Sequence, residues 1–422
     1  MNTNEGRHSV VVVGQGYVGL PLSMAAVAAS FIVTGIDVDP LRISMLRDGN
    51  SPVEDVSSKD LRIALKGGDY SPTDSYGDIE DFDYAIITVP TPLKEGIPNL
   101  GFIESAAKSL AASINTGCTI ILESTTYPGT TEELLLPLLE KFSGLKAGKD
   151  FHLGYSPERI DPGNPQWNLL NTPKIVSGFD STSLDKVADF YSRLGIPVIR
   201  VSGTREAEMT KLIENTFRHV NIALVNELAV FSRSLGVNIW EALEAAGSKP
   251  FGYMKFTPGP GVGGHCLPVD PSYLSWAIEN KSGEPFRFVE LANQVNTFMP
   301  EYVCRRLEES LNLKGQTLKN SSVLLVGLAY KPNTGDIRES PAIAVSHLLE
   351  SAGATIYAID EFVPEHSWPK HIARFRGDTS ANFAAAVMLT NHSNSQHEGF
   401  LDAIPIILDT RNVLEGRNIE RL

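Results

Sequence analysis

Cysteine is scarce in this chain: Cys118, Cys266 and Cys304 are the only three in 422 residues. An odd, irregularly spaced set excludes a disulfide framework and offers no C-x-x-C pair for a metal, so a reduced, cytoplasmic setting is expected. Positive charge is also short, with 36 Lys plus Arg against 50 Asp plus Glu and a net charge of −14. Such a field repels phosphate backbones and anionic lipid surfaces, which argues against nucleic acid and membranes as partners. An anionic small substrate would need local donors: helix N-termini, backbone amides and a few placed Lys or Arg. Long apolar runs are missing too. The glycine-rich turn after Val10–Val13 interrupts any signal-peptide core, so neither a targeting segment nor a membrane span is expected. What remains is an ordinary globular composition, 42% hydrophobic and 20% charged, in a chain long enough for two or three domains.

From Val10 to about Arg200, β-branched runs alternate with helical patterns. Val10–Val13, Phe31–Ile36, Ala85–Val89, Thr119–Leu122, Lys174–Ser177 and Val198–Val201 read as strands, a rhythm that predicts a parallel sheet with crossover helices. Thr204–Leu235 then keeps an apolar stripe without Pro or Gly, which predicts one helix of roughly 48 Å. Gly236 follows as a C-cap, Asn238–Ala246 reads as a second helix, and Lys249–Gly264 is a Pro- and Gly-rich loop. After a helical stretch at Pro285–Leu311, a second βαβ unit starts: strand Ser322–Val326, helix Pro341–Ala352, strand Thr355–Ile359. The two units share a plan, each with a strand ending in glycine (Gly14, Gly327) and a later acidic residue (Asp37, Asp360).

Four constellations carry chemistry. In "VVVVGQGYVGLP", Gly14, Gly16 and Gly19 form G-x-G-x-x-G between a strand and a helix, with Asp37 at the end of the next strand. That context points to a dinucleotide site: a tight turn at Gly14, pyrophosphate against Gly16, close helix packing at Gly19, and ribose hydroxyls on Asp37, which disfavours a 2′-phosphate and so favours NAD over NADP. In "GPGVGGHCLPVDP", Cys266 sits in a flexible loop beside His265 with Asp270 four residues on; this suits an accessible nucleophile, although cysteine is as often inert packing. No convergent zinc set exists, and no metal is expected. Lys211 and Asn215 share one face of the long helix, a means of holding an oxyanion, while most such pairs are solvated surface. The loops "TVPTP" (Thr88–Pro92), "ESTTYPGTT" (Glu123–Thr131) and "YSPERIDPGN" (Tyr155–Asn164) follow predicted strands, where open α/β sheets bind ligands; ordinary turns and caps have the same composition.

In chain order, "GQGYVG", "TVPTP", "ESTTYPGTT", "SPERIDPGN", "KLIENTFRHVNIALVNE", "GPGVGGHCLPVDP" and "GLAYKPNTGDIRESPA" resemble the nucleotide-sugar 6-dehydrogenases, the UDP-glucose and UDP-N-acetylhexosamine dehydrogenase family. The resemblance implies an α/β chain of two Rossmann-like doubly wound domains joined by a central helical region with one long helix: an NAD-binding domain over 1–202, a central helical domain with the cysteine loop over 203–315, and a UDP-sugar-binding domain over 316–422. It also implies a homodimer through the long helix. Residue by residue, it makes Cys266 the nucleophile, Lys211 and Asn215 the groups holding the oxygen at C6, and Asp270 the carboxylate supporting Lys211 and water. Thr125 would position water and Glu158 would act in thioester hydrolysis. Expected NAD contacts are Gly14, Gly16, Tyr17, Val18, Gly19, Asp37, Arg42, Pro90, Thr91 and Thr125. Expected substrate contacts are Glu158, Arg159, Lys211, Asn215, His265, Arg287, Lys331 and Arg338.

The implied reaction is a four-electron oxidation of a UDP-sugar hydroxymethyl to a carboxylate with two NAD, through a thiohemiacetal and a thioester on Cys266. A two-electron β-hydroxyacid dehydrogenase also joins a Rossmann domain to a long helix with K-x-x-x-N, but it needs neither the cysteine nor the second nucleotide-binding unit. A silent nucleotide-binding protein would not need Cys266, Lys211 and Asp270 together. For substrate, Val269 stands where relatives acting on UDP-glucose commonly carry lysine, and "PFRFVELANQVNTFMP" resembles members that oxidise UDP-N-acetylhexosamines. UDP-N-acetylglucosamine is therefore expected ahead of UDP-N-acetylmannosamine and UDP-glucose.

Overall fold

Consecutive valines pack best in a strand buried on both faces. Val10–Val13 occupy such a place in β1 (Ser9–Val13), inside the first sheet of the computed structural model. The structure describes residues 7–53, 55–160, 164, 166–264, 267–377, 382–393 and 399–422. It divides into two units, 1–214 and 215–422, with the division inside the long helix.

Unit 1 continues with α1 (Gly19–Ala28), β2 (Ile32–Ile36), α2 (Pro40–Arg47), α3 (Ser58–Gly67), β3 (Tyr70–Thr73) and β4 (Tyr84–Ile87). A hairpin of β5 (Leu93–Lys94) and β6 (Ile97–Pro98) precedes α4 (Gly101–Leu110), β7 (Thr119–Leu122), α5 (Leu136–Ser143) and β8 (His152–Tyr155). β9 (Lys174–Gly178), α6 (Ser181–Arg193), β10 (Val198–Arg200) and the start of α7 (Thr204–Ser232) complete it. The eight-stranded sheet runs β10-β9-β8-β7-β4-β1-β2-β3. Its neighbours are parallel except β8 and β9, which are antiparallel. The sequence reading has no strand for β3, whose "YSPT" carries a proline at the sheet edge, and it marks the short β8 only by setting the Tyr155–Asn164 loop after a strand. Register places Val13 opposite both Ile36 and Ile87, Ile87 opposite Leu122, and Leu122 opposite Tyr155. The loops starting at Gly14, Asp37, Thr88, Glu123 and Ser156 therefore leave one edge of one sheet.

In unit 2, α7 ends at Ser232 and the chain closes through Gly236 at φ 67°. α8 (Ile239–Gly247), α9 (Asp270–Ser282) and α10 (Arg287–Leu313) lead to a six-stranded sheet. Its strands are β11 (Ser322–Val326), β12 (Thr355–Ile359), β13 (Ala373–Arg374), β14 (Ala385–Met388), β15 (Ile407–Asp409) and β16 (Ile419–Arg421), in the order β13-β12-β11-β14-β15-β16, with α11 (Pro341–Ser351) as a crossover. All of its described pairs are parallel. Fully buried Val323, Leu325, Val345, Leu349 and Val387 form its core, each worth about 1.5–3 kcal/mol on burial. α9 is a helix the sequence reading did not anticipate, and α10 runs through Pro300.

Both sheets use one device. Asp37 at the end of β2 accepts from the amide of Gln15 at 2.8 Å, fixing the turn after β1. Asp360, after β12, accepts from the amides of Leu328 and Ala329 at 2.7 and 3.0 Å, and from those of Phe362 and Val363 at 2.9 and 3.1 Å. Burial would raise the Asp360 carboxyl, but His392 at 3.0 Å and these amides outweigh it and hold the group below the ordinary range. Asn at 360 turns an amide NH₂ against backbone donors, so Asp360→Asn should cost unit 2 about 3 kcal/mol. The wild-type contribution is complete above the unfolded carboxylate pKa and lost as pH falls through the depressed folded one. The difference between the two proteins should thus shrink below about pH 4. Hydrogen exchange of β11 and β12 amides measures it; a difference constant between about pH 3 and 7 would contradict the assignment.

Candidate active site

Gly14 stands at φ 96°, a conformation that disfavours a side chain, and a Cβ there would lie 2.8 Å from the Thr88 carbonyl oxygen. Thr88 donates its hydroxyl toward the carbonyls of Val13 and Gly14, both at 2.9 Å. At Gly19 a Cβ would come within 1.7 Å of the Gly14 oxygen, so α1 starts pressed against the turn. At Gly16 a Cβ would meet no described atom within 4 Å. No described side chain caps α1 at Val18. An open cradle at Gly16 against an uncapped helix start fits a diphosphate, which takes first-turn amides and the positive end of the helix dipole. These residues fit NAD.

Asp37 is buried. Besides the Gln15 amide it takes the amide of Asp39 at 3.0 Å and Arg42 Nη1 at 2.8 Å. Tyr17 and Pro90 are exposed, Val18 is half-buried and Thr91 is buried. Gln15, a mere spacer in the motif, is fully buried: its amide donates to the Val12 carbonyl, and its oxygen accepts from Tyr70 and Ser23.

The ends of β7, β8 and β9 converge on a cluster of buried charge. Glu158 Oε1 accepts from the amides of Arg159 and Ile160 at 2.6 and 2.5 Å, and its Oε2 lies 2.8 Å from Lys174 Nζ. Lys174 Nζ also lies 3.1 Å from Glu123 Oε1, which accepts from the Tyr191 hydroxyl as well. Burial acts to raise Glu158, but the charge and hydrogen bond of Lys174, the Ile160 amide and the charge of Lys211 together hold it below the ordinary range. Burial is also the largest influence on Glu123 and pushes it up. Thr125 is half-buried two residues beyond Glu123. Arg159, expected to face substrate, spends its guanidinium on Glu214, at 2.6 Å, and on the Pro173 carbonyl, at 2.5 Å. Lys174 was legible only as the start of a strand, since its partners lie far from it in sequence.

Lys211 is buried on α7, one turn before Asn215. One turn earlier still, Glu208 accepts from the amides of Gly129 and Thr131 and from the Thr131 hydroxyl, tying the 123–131 loop to the helix. Burial pushes the Glu208 carboxyl up to about 7.

In unit 2, Asn215 Nδ2 donates to Asp270 at the start of α9. His265 and Cys266 lie outside the described residues. The loop before them packs on the C-terminal motif: a Cβ at Gly263 would sit 2.6 Å from the Glu339 oxygen, one at Gly264 2.6 Å from the Tyr330 ring, and the Gly264 amide donates to the Arg338 carbonyl. Beside it lies a cavity of about 490 Å³ lined by Gly261, Val262, Pro268, Asn296, Ser340 and His347, among others. Arg287 is exposed at the start of α10, Lys331 is half-buried, and Arg338 pairs with Asp336 at 2.6 Å. The other two thiols are poor nucleophiles: burial pushes Cys118 up to about 11 and Cys304 up to about 12.

A glycine turn shaped for a diphosphate, a buried acid after the next strand and a second α/β sheet of the same plan define a doubly wound dinucleotide-binding protein. Family models described as the NAD binding, central and UDP binding domains of the UDP-glucose/GDP-mannose dehydrogenase family match residues 8–194, 205–298 and 324–416. The chain belongs to that family, and it is an NAD-dependent UDP-sugar dehydrogenase. It is 36% identical over 360 residues to the UDP-N-acetyl-D-glucosamine 6-dehydrogenase of Pseudomonas aeruginosa, covering 84% of this chain and 83% of that one. To the UDP-N-acetyl-D-mannosamine dehydrogenase of Pyrococcus horikoshii it is 34% identical over 355 residues, 84% of each. A solved structure of the UDP-D-ManNAc dehydrogenase from P. horikoshii superimposes with a TM-score of 0.87 at 30% identity, covering 98% of both chains. One of a UDP-glucose dehydrogenase from Pyrobaculum islandicum gives 0.87 at 26% identity, covering 100% of this chain and 98% of that one.

Proposed function

We propose that the chain oxidises the C6 hydroxymethyl of a UDP-N-acetylhexosamine, UDP-N-acetylglucosamine foremost, to the carboxylate. The balance is R–CH₂OH + 2 NAD⁺ + H₂O → R–COO⁻ + 2 NADH + 3 H⁺. The observation that carries the four-electron reading is Glu158, a carboxylate kept ionised at the sheet edge that bears the glycine turn. An oxidation that stops at two electrons has no acyl intermediate for such a group to hydrolyse. Bound NAD supplies a hydride acceptor for each oxidation.

The protein's own residues do the rest. Cys266 adds to the C6 aldehyde and later carries the acyl group as a thioester. Lys211 and Asn215 hold the oxygen at C6 while negative charge develops there, and Asp270 fixes the Asn215 amide by accepting from it. Thr125 positions the water that Glu158 activates. Lys331 and Arg338 supply local positive charge for the UDP group in a chain of net charge −14, and Arg287 is a further candidate contact for the substrate. Val269 beside the loop aspartate and the relative from P. aeruginosa support the acetamido substrate. The relative from P. horikoshii keeps the manno epimer as the second reading.

Phe217, Leu224, Leu228 and Phe231 form an exposed apolar stripe along α7, which supports a homodimer through this helix. Among the described residues no helix is long and apolar enough to cross a membrane, and the described cysteines, Cys118 and Cys304, are free thiols.

One preparation tests all three readings, the acetamido substrate, the four-electron reaction and the dimer. With NAD saturating, kcat/KM should be highest for UDP-N-acetylglucosamine over UDP-N-acetylmannosamine, UDP-glucose and UDP-galactose, with two NADH per sugar and about tenfold or more discrimination against UDP-glucose. Cys266→Ala should bind both ligands and form no acid. Sedimentation should give twice the chain mass. A clear preference for UDP-glucose would overturn the acetamido reading, one NADH per sugar the four-electron reading, and a monomer the dimer.

A further inference from the structure

Buried charge is expensive. Taking an ion from water costs several kcal/mol even after relaxation, and well-packed apolar residues often serve a fold as well as a buried ion pair does. Lys174 is nonetheless 3% exposed, with carboxylates on two sides. Glu123 is buried completely, and its Oε2 has no hydrogen-bond partner among the described residues. Its Oε1 is the part the structure uses, taking Lys174 and the Tyr191 hydroxyl. On the other side, Glu158 is 13% exposed, its Oε1 held by two amides and its Oε2 by Lys174 alone among the described side chains. The cluster is thus graded, from a sealed carboxylate through a sealed ammonium to a carboxylate with one face toward solvent.

We propose that Lys174 is a positioning residue for Glu158: anchored from behind by Glu123 and Tyr191, its ammonium holds the Glu158 carboxylate in one orientation and keeps it negatively charged. This rests on the reading of Glu158 as the base of thioester hydrolysis. In that step the water oxygen bonds to the acyl carbon while its proton passes to Glu158. The carbon–sulfur bond then breaks with its electron pair leaving on Cys266 sulfur, and nothing is oxidised or reduced. Charged and titratable groups reach Glu158 from four elements: Lys174 on β9, Glu123 after β7, Tyr191 on α6 and Lys211 on α7. Arg159, next in sequence, is turned to Glu214. Of the two cations, Lys174 is the one that pairs with the carboxylate among the described residues, at 2.8 Å, and its hydrogen bond fixes the Oε2 side that the Arg159 and Ile160 amides leave unfixed. A base held this way stays ready at lower pH and cannot swing away between turnovers.

The test compares acid formation against pH, and the mass of the protein during turnover, in wild type, Lys174→Met, Lys174→Arg and Glu158→Gln, using the best UDP-sugar of the panel. Without the ammonium, the acid limb of kcat should move up by about one pH unit or more. At neutral pH a sugar adduct should then accumulate on the protein after two NADH per site, with KM for the sugar changed less than about twofold. Lys174→Arg should return the limb to within about half a unit of wild type. Glu158→Gln should lower acid formation by about a hundredfold or more and accumulate the adduct at all pH values. Should Lys174→Met not fold, Lys174→Gln carries the same expectation with a neutral donor. An acid limb unmoved in the neutral variants, with Glu158→Gln inactive, would overturn the role of Lys174 and leave the base standing. Wild-type acid formation by Glu158→Gln would overturn the base, and the proposal with it.

Discussion

Parallel strands paired in register end together, and the ends of β1, β2, β4, β7 and β8 become a single line of loop origins. Loops alone would leave that line loose. Buried acids tighten it: Asp37 holds the turn after β1, Glu158 gathers the two amides that follow it, and Glu208 reaches from α7 to the amides of Gly129 and Thr131. Each interaction replaces water on a backbone N–H with a fixed acceptor, so the order that catalysis needs is built before any ligand arrives. In the second sheet Asp360 repeats the device on Leu328 and Ala329, and Asp409 takes the amides of Arg411, Val413 and Leu414 at the end of β15.

How much of this the sequence discloses depends on distance along the chain. The glycine turn, its strand, its helix and Asp37 were legible because the motif is compact and each glycine has its own steric reason. Most strands of the first sheet were legible from β-branched runs, and in the second sheet β11 and β12 were. β3 was not, because Pro72 and two hydroxyl residues hide an edge strand, and β8 was implied only by the loop after it, because "HLGY" is short and Gly154 is small for another reason: a Cβ there would meet the Ser177 carbonyl at 2.4 Å. α9 hid behind a Pro-rich stretch whose aspartate and proline open a helix instead of extending the loop.

The site divides in the same way. Glu158, Lys211 and Asn215 could be named from their motifs, but their partners could not. Lys174 meets Glu123 and Glu158 only because β7, β8 and β9 are neighbours. Arg159 was expected as a substrate contact, while the fold gives its guanidinium to Glu214 and a carbonyl. A sequence shows that a charge exists; the fold decides what neutralises it.

The buried Asp37 carboxylate after β2 fixes the turn that follows β1, and we propose that it also selects NAD. Calorimetric titration of wild type and Asp37→Ala with NAD and NADP tests it most directly. Loss of the turn alone would weaken both dinucleotides together, so the ratio of the two dissociation constants is the quantity to read. If Asp37 accepts from the ribose and repels a 2′-phosphate, its removal, which also frees Arg42, should weaken NAD by about tenfold or more, leave NADP no weaker, and collapse the preference. An unchanged NAD to NADP ratio in Asp37→Ala would contradict the account.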